Sequence, residues 1–121
     1  MPSLQAIQEE LRTFVRERDW AQFHDPKNLC MAIGSEAGEL LAEYRWIQSD
    51  QADDWSQQPE ARARIADEAA DIGITLLLFC DRIGLDLTEA MQQKIEKNRS
   101  RYPVATSRGR HDRPSTTEES T

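Results

Sequence analysis

A chain of 121 residues is long enough for one domain with a real core and marginal for two. Its formal charge of −7 argues against a surface that grips polymeric nucleic acid through general basicity. The longest apolar run, Ile72–Cys80, is far too short to cross a bilayer, and the charged Met1–Asp19 stretch lacks the apolar core of a secretory leader.

The expected elements are all helical. Ser3 reads as the N-cap of a first helix to Arg18, with Leu4, Ile7, Leu11, Phe14 and Val15 at helical spacing. A short loop, Asp19 to Lys27, carries Trp20, Phe23, His24 and the breaker Pro26. A second helix is expected from Pro26 or Asn28 to Ile47, then a polar loop from Gln48 to Pro59. A third helix runs from Pro59 to about Ile83, with Gly84 at the C′ position. A fourth begins near Asp86 or Thr88 and stops at Arg101, ahead of Pro103. The segment 104–121 is rich in Ser, Thr, Arg, Asp and Glu and is expected to be a disordered tail to a 1–103 domain. Cys30 and Cys80 each fall in an apolar helical stretch without a C-x-x-C pattern, so both are expected as buried free thiols of a cytoplasmic protein.

Two acidic pairs, Glu36-x-x-Glu39 and Glu68-x-x-Asp71, interrupt helices that otherwise face a core. With Leu29 at zero and about 100° per residue, Leu29, Ile33, Leu40, Tyr44 and Ile47 fall in a stripe roughly 60° wide. Glu36 lies at the edge of that stripe, and Glu39 and Glu43 follow on the same flank. On the third helix, Ile65, Ala69, Ile72, Leu76, Phe79 and Ile83 share a face, with Glu68 beside it and Asp71 next along. Ionised carboxylates are costly to bury unless they are paired or coordinate a metal. Hard oxygen donors gathered at an apolar seam suit Mg²⁺, with Mn²⁺ as a substitute, whereas glutamates on a solvated helix face would need no metal at all. Gly34 and Gly38 flank Glu36 and would let a second helix or a ligand approach the backbone.

Between Ile72 and Cys80 the third helix is apolar nearly all round, which asks for burial on every side, either by a partner subunit or at the centre of a compact monomer. Trp20 and Trp46 stand just outside helix ends, either stacked on a base or serving as hydrophobic plugs. His24 either donates to a base or caps its own loop. Lys94, Asn98 and Arg101 recur at i, i+4 and i+7, so they form one cationic, hydrogen-bonding face that suits a polyphosphate or is simply solvated.

Four blocks, ERDWAQFHDPKNL, GSEAGELLAEYRW, DEAADIGI and KIEKNRSRYP, occur in this order between about Leu4 and Tyr102. Together they resemble the MazG-like all-α nucleotide pyrophosphohydrolases, with the nearest likeness to the small dCTP pyrophosphatase branch. The resemblance implies a four-helix bundle-like protomer assembled as a dimer of dimers. It implies that Glu36, Glu39, Glu68 and Asp71 hold Mg²⁺; a cluster carboxylate not fully used in coordination would then activate water, and Glu39 is the candidate, as ligand or base. It implies that Trp20, Gln22, Phe23, His24 and Trp46 enclose the nucleoside, and that Lys94, Asn98, Arg101 and Tyr102 reach the phosphates. The implied substrate is a nucleoside triphosphate, cleaved to the monophosphate and pyrophosphate. Leu11 stands where this branch carries a His, and Thr75, one turn after Asp71, stands where it carries a Tyr facing the substrate. Both departures touch nucleoside preference, and dUTP or another nucleotide remains an alternative to dCTP. A non-catalytic nucleotide and metal sensor is the alternative of a different class.

Overall fold

The computed structural model describes residues 1–110, and these contain α-helices and turns but no strand. They divide into two compact units, Met1–Leu85 and a second that begins at Asp86. In the first unit, α1 spans Leu4–Glu17, α2 Pro26–Tyr44, α3 Ala52–Gln57 and α4 Pro59–Arg82. Single 3₁₀ turns occupy Ala21–Phe23 and Ser49–Gln51.

Local chemistry fixes most of the helix ends. The Ser3 hydroxyl accepts from the Ala6 N–H at 3.1 Å and starts α1. At the other end, Trp20 N–H bonds Val15 O (3.1 Å) and Asp19 N–H bonds Arg16 O (3.2 Å), which is a Schellman closure. Its C′ residue is Asp19 at φ +52°, where glycine is the unstrained choice. Asp25 caps α2 by accepting from Asn28 N–H at 2.9 Å, with Pro26 in the first turn. The same Schellman closure ends α4: Leu85 N–H bonds Cys80 O (2.8 Å), Gly84 N–H bonds Asp81 O (3.2 Å), and Gly84 sits at φ +69°.

The expected polar loop Gln48–Pro59 instead holds α3, and α2 ends at Tyr44 rather than Ile47. Tertiary bonds account for this. The Trp55 indole N–H donates to Glu43 O (3.1 Å), and the Tyr44 and Ser56 hydroxyls are 2.5 Å apart. A single anchoring tryptophan in six residues gives no periodicity for a sequence reading to detect.

The core lies around α4, which packs against α2 most extensively and also against α1 and α3. Leu29 of α2 and Ala61, Leu77 and Cys80 of α4 are buried. Two expectations are corrected here. Cys30 is exposed, because it lies about 100° around α2 from the buried Leu29. Ala69 and Ile83 are exposed as well: α4 is covered on the side of Leu77 and Cys80 by neighbouring helices, so its buried surface is rotated from the stripe read in sequence. Arg12 and Asp81 form an ion pair at 2.6 Å between α1 and α4, and an Arg82 amino group donates to Ala21 O at 3.2 Å, tethering the turn after α1.

In the second unit, α5 (Leu87–Arg101) is capped by Asp86, whose carboxylate accepts from Glu89 N–H at 3.1 Å. Of the segment expected as a tail, Val104–Ser107 form one short helix, α6, and residues 111–121 lie outside the described residues. No helix among the described residues is long and apolar enough to cross a membrane.

Candidate metal centre

Helices α2 and α4 lie antiparallel along one seam, where rising residues of α2 face falling residues of α4. Carboxylate oxygens of Glu36, Glu39 and Glu68 converge to within 4.8 Å of one another. Asp71 lies outside this set of three and is exposed, but its charge acts on both Glu36 and Glu68. One turn further along, Glu43 of α2 accepts from Arg64 Nε of α4 through both oxygens, at 2.8 and 3.2 Å. Acidic residues of α2 thus meet acidic residues of α4 over two turns, and an ion pair closes the row.

Three carboxylates so close cannot all remain ionised without compensation. Hydrogen bonding to Glu39, then burial, then the charges of Glu39, Glu36 and Asp71 push the pKa of Glu68 up to about 7. Burial, followed by the charges of Glu39 and Asp71 and hydrogen bonding to Glu39, raises that of Glu36. One oxygen of Glu36 and one of Glu68 are also buried without a hydrogen-bond partner. Buried carboxylate oxygens left unpaired are costly. A hard divalent cation would satisfy both oxygens and remove the mutual repulsion, so the donor set fits Mg²⁺ and supports a divalent-cation cofactor of that kind.

The remaining candidate residues are distributed as follows. Trp20 packs edge-to-face on Phe14, with centroids 5.6 Å apart, and Arg18 lies over the other ring partner, Phe14, at 3.7 Å. Gln22 is turned back on its own loop, donating to Asp19 O at 3.0 Å. Phe23 is exposed, and half-buried His24 lines an open groove with Arg12, Arg16, Leu78 and Arg82. Trp46, at 83% exposure, projects from the end of α2 with Arg45 stacked over it at 5.2 Å. The Thr75 hydroxyl donates to Asp71 O at 2.7 Å within α4. Leu11 lines a small cavity of α1 and α4 with Leu77 and Leu78. In the second unit, Lys94, Asn98 and Arg101 share a face of α5, Tyr102 N–H bonds Asn98 O at 2.8 Å, and Arg101 lies 5.7 Å from the Tyr102 ring. Arg64 does not figure among the residues picked out from sequence. Its signal was its position one turn before Glu68, which sets it on the acidic face of α4.

An all-α chain whose antiparallel helix pair carries facing acidic residues at its seam defines the class of site. The chain belongs to the MazG-like family, whose match covers residues 31–113. It is similar to dCTP pyrophosphatase 1 of Rattus norvegicus, 39% identical over 108 residues, which are 89% of this chain and 64% of that protein. It is similar to dCTP pyrophosphatase 1 of Homo sapiens, 36% identical over 103 residues, 85% of this chain and 61% of that protein. The chain therefore spans somewhat less than two thirds of the length of these relatives. In structure it is similar to a pyrophosphatase from Archaeoglobus fulgidus DSM 4304, with a TM-score of 0.78 and 33% identity, covering 85% of this chain and 94% of that one.

Proposed function

We propose that this chain is a Mg²⁺-dependent nucleoside triphosphate pyrophosphohydrolase, acting on dCTP or a modified dCTP in nucleotide-pool sanitation. Classification with the pyrophosphatases of the superfamily is supported by the family match, the archaeal structure and the acidic cluster. The observation that carries the reading is the convergence of Glu36, Glu39 and Glu68, two of them with a buried, unpartnered oxygen.

In this reading Glu36, Glu39, Glu68 and Asp71 hold the cation, which supplies Lewis-acid polarisation of the phosphates and lowers the pKa of water. A Glu39 carboxylate oxygen takes the proton of the attacking water as its oxygen bonds to the α-phosphorus. The bond from that phosphorus to the bridging oxygen breaks, and the electron pair leaves with pyrophosphate. Lys94 and Arg101 offset the charge developing on the departing group, and Asn98 and Tyr102 hydrogen-bond phosphate oxygens. Trp20, Gln22, Phe23, His24 and Trp46 enclose the nucleoside, with Thr75 at its edge. The engagement of Thr75 with its own helix and of Leu11 with α4 supports a second reading, the same reaction on dUTP or another nucleotide.

The protomer is four-helix bundle-like and assembles as a dimer of dimers. Exposed surface on α2 supports this: Cys30, Met31, Gly34, Ala37, Gly38, Leu41 and Ala42 are all exposed and fall within about 140° of the helix circumference. The working compartment is the cytoplasm, consistent with two free cysteines. Residues 1–103 form the catalytic domain and 104–121 a dispensable tail, so truncation after Pro103 should leave melting temperature and turnover unchanged. A large fall in either would overturn that boundary.

The deciding experiment is pyrophosphate release from dCTP, 5-substituted dCTP, dUTP, the other deoxynucleotides and the ribonucleotides, with Mg²⁺ and with EDTA. Mg²⁺-dependent release establishes the reaction, and the rate ranking separates the two substrate readings. No release from any nucleotide would refute the enzyme and favour a sensor.

A further inference from the structure

Across the α2–α4 seam, Glu36, Glu39, Glu68 and Asp71 repel one another when no cation is bound. The cross-seam attraction nearest to them is the Glu43–Arg64 pair, one turn along. Glu43 is the less exposed partner, its side chain at 18%. The same turn of α2 is held from α3, by the Trp55 indole on Glu43 O and by Ser56 on Tyr44. Three side chains from α3 and α4, Trp55, Ser56 and Arg64, therefore clamp one turn of α2 directly beside the carboxylates.

We infer that Arg64 and Glu43 are positioning residues, which hold α2 and α4 in register so that the metal-binding carboxylates stay opposed before the cation arrives. The inference rests on the divalent-cation reading of the site. It differs from a plain electrostatic role in sign. Removing a cation beside a metal site should tighten metal binding by charge alone, whereas loss of register should weaken it.

The probe is Mn²⁺ alone, titrated by electron paramagnetic resonance. Arg64→Gln should weaken Mn²⁺ binding by about 10-fold, the lower end of what loss of an outer partner to metal ligands produces. Arg64→Lys, which keeps the charge and loses the two-point contact, should fall between. The charge-reversed double variant Glu43→Arg/Arg64→Glu should recover much of the loss. Arg12→Gln breaks a second interhelical ion pair, to Asp81, and should leave Mn²⁺ affinity unchanged. Unchanged or tighter Mn²⁺ binding in Arg64→Gln overturns the inference. Amide hydrogen exchange in EDTA gives an independent readout. Exchange over residues 36–44 should quicken in Arg64→Gln and not in Arg12→Gln. If the wild-type chain binds no Mn²⁺, the metal reading fails by itself, and equal exchange in wild type and Arg64→Gln then overturns the positioning role as well.

Discussion

Replacing both Gly34 and Gly38 with alanine would test the assembly from a single face of α2. Each glycine is exposed, and a Cβ added at either meets nothing within 4 Å in the protomer. Glycine inside a helix costs about 1 kcal/mol against alanine, so an isolated protomer should gain about 2 kcal/mol from the pair. At about 4 °C per kcal/mol for a chain of this size, that is a rise of about 8 °C in melting temperature. If a second copy packs its backbone against this face, the two methyl groups meet it instead, and the contact opens. The expected result is a fall in light-scattering mass toward 13.9 kDa, with the thermal gain absent or reversed. An unchanged mass accompanied by the full rise in melting temperature would mean that the glycine face looks onto solvent, and the packing argument would be wrong.

Glu36→Gln and Asp71→Asn should each reduce turnover by at least 100-fold, of the order seen when a group that stabilises developing charge is removed. Survival of near wild-type rates with an unchanged Mg²⁺ requirement would refute the ligand assignment. The pH response follows from Glu68, whose pKa in the metal-free fold is pushed up to about 7 from the ordinary carboxylate value of 4.5. Between those values the folded chain binds more protons than the unfolded one, so metal-free stability falls as pH rises through that window and levels off above it. Mg²⁺ must displace the proton, so its stabilising shift should be small at pH 5.5 and large at pH 8. A thermal-melt series with and without EDTA that showed one shift at every pH would contradict the cluster. Asp19→Gly should stabilise the chain by roughly 0.5–1 kcal/mol, since glycine adopts the left-handed C′ conformation without strain. A chemical-denaturation midpoint that moves down would show that the Asp19–Gln22 contact matters more than the backbone.

The parts that were legible in sequence are those governed by local rules. Ser3 and Asp86 accept the capping bonds that place the starts of α1 and α5, and Gly84 closes α4 in the conformation its position implies. The facing of Glu36 and Glu39 against Glu68 also follows from helical spacing once the two helices are taken as neighbours. What could not be read depends on partners distant in the chain. Helix α3 exists because Trp55 and Ser56 reach Glu43 and Tyr44, and nothing within Gln48–Pro59 signals those contacts. The exposure of Cys30, Ala69 and Ile83 depends on which sides of α2 and α4 are covered, and periodicity locates a stripe without saying how many neighbours it has. Arg64 belongs to the same group: its spacing was visible, but its partner on α2 was not.

The antiparallel α2–α4 pairing has a kinetic side. Glu39 and Glu68 are about thirty residues apart, and the whole acidic cluster lies within Met1–Asp71. A ribosome-bound chain that has exposed residues through Asp71 already carries every carboxylate of the cluster, before α5 has been synthesised. The repulsion among those groups is then met first by the nascent hairpin, at a stage when little else holds it closed. Cation supply during synthesis would thereby bear on yield as well as on activity.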